Sequence, residues 1–262
     1  MTSRPMAALA AALALAGAIP AFAAPAAPTA APAGSQIARD QAAVDMAQKD
    51  FDEGAFVALA RHVDALQRVL SDMPRPYSKS ETQGGVLYYH ADDLADFLGH
   101  STLGPPNGDP AIKSVVWVQQ PYSRAAFLLG SYYNEMSRPE PALTALNAGL
   151  MAAPRDPRLL SEKGAALIVL RRFADALVVY SGGAALPGMA KLDHARFLRG
   201  EGFCLTELHR LDEAEAAYRE SLKLEPGHGG AQHELAYIAG IRAGAKPTAP
   251  ELLTGDQAKK RR

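Results

Sequence analysis

From Ala126 onward, apolar and small residues recur at spacings of three and four, which predicts a series of helical stripes that come in pairs. The first stripe of each pair carries Ala126, Leu129, Gly130 and Tyr133; Leu160, Gly164 and Leu167; and Leu198, Gly202 and Leu205. The second carries Ala142, Leu146 and Gly149; Ala176, Tyr180 and Gly183; and Ala214, Tyr218 and Ser221. A proline then stops each second helix, at Pro154, Pro187 and Pro226. The step from Ala142 to Ala176 is 34 residues, and from Ala176 to Ala214 it is 38. The glycines of the first stripes predict close helix approach, with Ala142, Ala176 and Ala214 opposite them. One more stripe over 229–242, with Leu235, Ala236 and Ala239, has no second helix after it and reads as a cap.

Upstream, Val44, Ala47 and Phe51 predict one helix, and Phe56, Leu59, Val63, Leu66, Leu70 and Met73 a stronger one. Gly54 separates them, so 35–73 is an N-terminal helical hairpin ended by Met73-Pro74-Arg75-Pro76. Residues 74–120 read as an irregular connector. Leu87, Ala91, Leu94 and Leu98 predict a short helix ending at Gly99, and Gly104 to Pro110 is a turn-rich loop. Val115 to Val118 is strand-like, and Trp117 is expected to pack on the end of the helical array.

The paired stripes with a period near 34 resemble the tetratricopeptide repeat, whose signature runs Trp-x2-Leu-Gly-x2-Tyr, then Ala, Phe and Pro. Leu129, Gly130 and Tyr133 carry the likeness in a first repeat over 123–156. Leu211-Asp212-Glu213-Ala214 through Leu222, Leu224 and Pro226 carry it most fully in a third, over 195–228. The second, over 157–190, has Lys163 where the family has Leu, a Gly182-Gly183 pair in its second helix, and four extra residues in 187–194 behind it. The implied fold is all-α. It is a right-handed α-solenoid of helix-turn-helix repeats over 121–242, with the N-terminal helical hairpin and a C-terminal capping helix. The implied work is non-catalytic binding of a protein or peptide, without a cofactor.

Composition adds a compartment. Arg4 precedes an alanine- and leucine-rich run, and Ala21-Phe22-Ala23 is a small-x-small cleavage signal, so 1–23 reads as a secretory signal peptide. Gly17 and Pro20 interrupt a stretch too weakly apolar to span a membrane well. The expected location is periplasmic or secreted, with no stable membrane insertion after cleavage. Residues 24–34 are an Ala/Pro-rich leader, and 243–262 a Pro-punctuated tail ending Lys259-Lys260-Arg261-Arg262; both are expected to be disordered. With 27 Lys+Arg against 28 Asp+Glu, nothing marks a nucleic-acid binder. Cys204 is the only cysteine, so no intramolecular disulfide forms, and its helical neighbours predict a buried apolar role.

Catalytic patterns are weak. Gly99-His100-Ser101-Thr102-Leu103-Gly104 resembles a nucleophile elbow with its second glycine one residue late, and no strand-turn-helix context is predicted. His90, Asp92, Asp93, Asp96 and His100 are metal-ligating types, though adjacent Asp92 and Asp93 point apart on a helix. His228 and His233 are five apart and share no helical face. A small hydrolase or metal site in 74–120 is thus the weaker alternative.

The family's groove is lined by the first helix of each repeat. The resemblance puts Arg124, Phe127, Ser131 and Asn134 there, then Arg158 and Ser161, then Arg196, Arg199, Phe203 and Thr206, with His233 and Tyr237 in the cap. An arginine recurs in what is expected to be each first turn, where the helix dipole disfavours a cation. One reading is an arginine ladder for an acidic or C-terminal carboxylate ligand. The other is a set of ion pairs with neighbouring repeats. The chaperone-binding clamp of the family is not matched at Phe127, Ser131, Glu162 and Gly200. A structural subunit of an envelope assembly, using its outer face, is a further alternative.

Overall fold

The computed structural model describes residues 35–53, 56–91, 97 and 110–246. Residues 1–34, where a signal peptide and leader are expected, and tail residues 247–262 lie outside that set. The described residues form two units, one helical (up to Tyr77 and from Gln120 onward) and one built on a sheet (Ser78–Gln119).

In the helical unit, α1 (Gln36–Asp52) starts at Ser35, whose hydroxyl accepts from the Ala38 amide. α2 (Phe56–Leu59), a 3-10 turn (Ala60–His62) and α3 (Val63–Asp72) return antiparallel to it as the expected hairpin. Its turn is tied by Asp50, which takes both Arg61 (2.6 Å) and His62 (2.7 Å). Three helical pairs follow: α4 (Tyr122–Glu135) with α5 (Pro139–Ala152), α6 (Pro157–Val169) with α7 (Phe173–Ala184), and α8 (Lys191–Glu207) with α9 (Leu211–Leu224). α10 (Gly229–Arg242) closes the set. Leu66, Val69 and Leu70 of α3 share a core with Ala125, Leu128 and Leu129 of α4, so the hairpin continues the stack.

Within each pair the glycine of the first helix meets a large residue of the second. A methyl group on Gly130 would stand 2.5 Å from Leu146, on Gly164 2.4 Å from Tyr180, and on Gly202 2.9 Å from Tyr218. The large residues, not the alanines expected there, are therefore what the glycines admit. Ala142, Ala176 and Ala214 are fully buried elsewhere in the same seams. The second helix adds small positions of its own: a methyl on Gly149 would meet Ala126 of the same pair at 2.3 Å and Leu159 of the next at 3.1 Å, and on Gly183 it would meet Phe197 of the next pair at 2.1 Å.

The turns repeat too. Ser137, Arg171 and His209 hold the left-handed conformation at φ 54°, 58° and 59°. Each follows a first helix, and the next amide bonds back five residues, as Arg138 to Tyr133, Arg172 to Leu167 and Arg210 to Leu205. The four extra residues before the third repeat become one more helical turn: α8 has 17 residues where α4 has 14 and α6 has 13.

The connector is more ordered than its sequence suggests. β1 (Ser80–Gln83) pairs antiparallel with β2 (Val86–Ala91), and β2 pairs parallel with β3 (Ser114–Gln119), as Tyr89 with Trp117. Leu87 and Ala91, expected on a helix, lie on one strand face, because a spacing of four satisfies both periods. The intervening Tyr89 and the β-branched and aromatic neighbours Val86 and Tyr88 decide for the strand. Leu94 and Leu98 lie outside the described residues. Trp117 packs within the core of this unit: it stacks on Phe97 at 5.7 Å, and its Nε1 donates to the Ala91 carbonyl at 3.1 Å.

Adjacent glycines in α7 should respond oppositely to alanine. Gly182 has open space where a methyl would go, so Gly182→Ala should stabilise by about 0.5–1 kcal/mol through helix propensity. Gly183→Ala collides with Phe197 and should destabilise by about 1–3 kcal/mol. Urea unfolding of the two variants measures both signs.

Candidate functional site

The start of the first groove helix is fixed by a residue outside the expected set. Gln120, 1% exposed, accepts from the amides of Tyr122 (2.7 Å) and Ser123 (3.2 Å) and donates to the Ser123 hydroxyl (2.8 Å). It occupies α4's unpaired N-terminal amides in place of an N-cap side chain, since Pro121 has none to offer. Tyr77 and Tyr122 meet edge to face at 6.0 Å beside it.

The arginines of the expected strip are engaged within the chain. Arg124 reaches across to Asp45 of α1 at 2.9 Å. Arg158 is gripped by Asp156, through Nε at 3.1 Å and Nη2 at 2.7 Å, and its guanidinium lies over the Phe127 ring at 5.5 Å. Asp156 is also the N-cap of α6, accepting from the Arg158 amide at 2.8 Å, so one acid serves the helix end and offsets the cation placed there. Arg196 pairs with Asp193 at 2.9 Å; with the extra turn of α8 it stands a full turn inside the helix rather than in its first turn. Arg199 bonds Glu225 at 2.6 Å. The ion-pair reading is thus the one the geometry realises, with two partners on neighbouring elements and two on the arginine's own turn. Exposure separates the four. The Arg158 and Arg196 side chains are 46% and 51% exposed, while Arg124 and Arg199 are 16% and 19%.

The other residues divide similarly. Phe127 is half-buried against Phe51 at 5.4 Å, and Phe203 against Phe173 at 6.3 Å. Ser161 is half-buried, and its carbonyl accepts from the Tyr180 hydroxyl at 3.4 Å. His233 is open, with its side chain 80% exposed, and Tyr237 is half-buried. Ser131 and Thr206 are buried, 7% and 5% exposed, and Thr206 donates to the Gly202 carbonyl of its own helix. These two belong to the packing beneath the strip and do not line it.

Asn134 donates to both the backbone carbonyl (3.0 Å) and the carboxylate (2.8 Å) of Glu162, linking α4 to α6. Burial raises the Glu162 pKa, opposed by hydrogen bonding from Asn134 and by the charge of Arg196. Glu162 was absent from the sequence-derived set. Its signal was its place four residues after Arg158, on the same helical stripe. Cys204 is fully buried, and burial pushes its thiol up to about 12, which keeps it a protonated core residue. In the sheet unit, His90 faces Glu81 at 3.5 Å and burial lowers its pKa. Asp92, Asp93, Asp96, His100 and Ser101 lie outside the described residues.

A carboxyl with a raised native pKa contributes stability that is present below its unfolded pKa and lost as pH rises through the native one. Wild-type stability minus that of Glu162→Gln should therefore fall as pH rises from about 4.5 through the raised native value. Urea unfolding across that range reads the difference.

No family model and no curated protein matches the chain. Solved structures do. PilF of Pseudomonas aeruginosa is 13% identical, with 78% of this chain and 69% of that one covered at a TM-score of 0.51. The first TPR domain of human RPAP3 is 24% identical over 47% of this chain and 93% of its own, at 0.43. A double mutant of MamA is 14% identical over 79% and 85%, at 0.49. The glycine-locked pairs, their shared left-handed turn and the PilF likeness agree on one architecture: the helical unit has the fold of a tetratricopeptide-repeat solenoid.

Proposed function

We propose that the chain is a non-catalytic scaffold that docks a protein or peptide segment along the first helices of its repeats, and that it works in the bacterial envelope. The observation that carries this reading is the pair Arg158 and Arg196. Both guanidinium heads are about half exposed on successive first helices, each held in place by an aspartate of its own turn. A held guanidinium loses less side-chain freedom on binding than a free one, which favours acceptor groups on the ligand. Asp156 and Asp193 offset part of the charge. The preference for an acidic or C-terminal carboxylate partner therefore rests on these two arginines and His233, not on all four arginines. Phe127 under Arg158, and Phe203 further along, supply apolar walls.

Export is the second part of the proposal and rests on the sequence of 1–23. Mass spectrometry of the chain recovered from a bacterial periplasm should find an N-terminus at Ala24; full-length protein retained in the cytoplasm would remove this part.

One observation favours a different surface. Val178 of α7 and Met151 of α5 are 73% and 52% exposed on the second helices, which suits a subunit packed through its outer face in an envelope assembly. The paired variant Arg158→Glu/Arg196→Glu separates the readings, because it leaves the Arg124 and Arg199 pairs to the fold. Captures from a cell-envelope extract should lose their main partner at least about tenfold, roughly 1.4 kcal/mol or more, with the melting temperature little changed. Equal capture by wild type and variant would remove the groove reading and turn attention to Val178 and Met151.

A further inference from the structure

An acid stands in the strip where the fold asks for none. Two residues before the seam glycine, α4 has Leu128, fully buried in the core, and α8 has Gly200. α6 has Glu162 at that place, half-buried. α10 has an acid there too, Glu234, but Gly230 stands where α6 has Arg158. A buried carboxylate costs free energy unless a cation compensates it. What meets the Glu162 carboxylate directly is neutral. Asn134 Nδ2 of α4 donates to it at 2.8 Å, and the buried Ser131 hydroxyl lies beside it. The Tyr180 ring of α7 fills the slot between Gly164 and Gly200, 2.4 Å from where either methyl would stand, and closes the seam to water there.

The neutral form of Glu162 fits this place in two ways. The Asn134 Oδ1 is buried without a donor, and a neutral carboxyl carries the O–H that is lacking. The surrounding charges are also too few to hold the ionised form. Arg196 of α8 favours it, but Arg196 is bonded to Asp193. Glu135 of α4 opposes it, and the Tyr180 hydroxyl of α7 is electrostatically coupled to it. On its own helix stand Arg158, one turn earlier and gripped by Asp156, and the adjacent Lys163. Burial outweighs these and keeps the Glu162 pKa above its ordinary value.

A ligand acid shifts the balance further. The half-exposed guanidinium of Arg158 lies one turn before Glu162, and that of Arg196 belongs to the next first helix. A carboxylate bonded to Arg196 occupies the cation that favours the ionised Glu162, and it adds a like charge. We propose that Glu162 is a proton gate for the strip: an acidic segment seats on Arg158 and Arg196 with Glu162 neutral, and ionisation of Glu162 releases it by reclaiming Arg196 and repelling the ligand. The gate presupposes the strip as the docking surface and adds its regulation. Affinity is full where Glu162 is already neutral in the free chain. It falls as pH rises through the native value, and levels off once Glu162 is ionised in the complex as well.

The probe is a short fluorescent oligo-aspartate peptide, whose own carboxyls stay largely ionised above about pH 5. Its affinity is read by anisotropy from about pH 8 down to about pH 5. All chains carry His233→Gln, so that the strip's histidine does not titrate. This background is compared with the same chain bearing Glu162→Gln or Arg158→Glu/Arg196→Glu. The background should bind about tenfold more tightly at the acid end, the factor one nearby like charge is worth. Glu162→Gln keeps an acceptor for Asn134 and removes the charge. It should bind throughout as tightly as the background does at the acid end, with a flat profile. The arginine variant should bind at no pH. A flat profile in the background, or the same slope in Glu162→Gln, overturns the gate and leaves the groove reading standing. If the arginine variant binds like the background, or no chain binds the probe, the acidic-ligand reading of the groove falls and the gate with it.

Discussion

The stack depends on one contact made three times, a glycine of a first helix admitting a bulky residue of its partner. Gly130, Gly164 and Gly202 leave room for Leu146, Tyr180 and Tyr218, so each pair of axes can come close enough to exclude water along the seam. Burying a side chain of that size is worth roughly 1.5–3 kcal/mol, against about 1 kcal/mol for glycine in a helix interior. The balance favours the contact only while the seam stays well packed. Gly149 and Gly183 extend the same arrangement to the next pair, and the neighbouring cores run on from one repeat to the next.

That contact also sets what the outward strip can present. With the first helices locked at their small positions, the residues one turn away are held in register on successive helices. The charges there are mostly balanced within the chain. Asp156 sits beside the arginine that the start of α6 would otherwise disfavour, Asp193 pairs with Arg196 one turn inside α8, and Asp45 and Glu225 take the two more buried arginines. The strip therefore offers two half-exposed guanidinium groups and two aromatic walls. The Asn134–Glu162 bond makes a different kind of contribution, joining two first helices through a carboxylate that burial disfavours in its charged form.

Legibility in the sequence followed the range of the interaction. The helical pairs, the hairpin and the cap were readable because period, glycine and proline act within a few residues of one another. Gly182-Gly183 looked like a weak helix interior, yet α7 runs through both, because Gly183 is where Phe197 enters. The sheet was half readable: Val115 to Val118 announced a strand, but Leu87 and Ala91 fitted either period, and pairing with a strand more than twenty residues on decided the matter. Within the expected strip, Arg158 and Arg196 are exposed and Phe127 and Phe203 half-buried, as residue type and spacing suggest. Ser131 and Thr206 are buried, because the partner helix and not the local spacing decides that. Gln120 had no local signal, since its capping role depends on the path of the chain into α4. The Arg124–Asp45 pair spans 79 residues and has no local signal at all.

The central claim is that the first helices, not the second, form the docking surface. Amide hydrogen exchange of the purified chain with and without a partner it captures addresses that directly. The account predicts slowed exchange concentrated in α4, α6 and α8 around Phe127, Arg158 and Arg196, with α5, α7 and α9 unchanged. Protection centred on the outer helices, around Met151 and Val178, would contradict it.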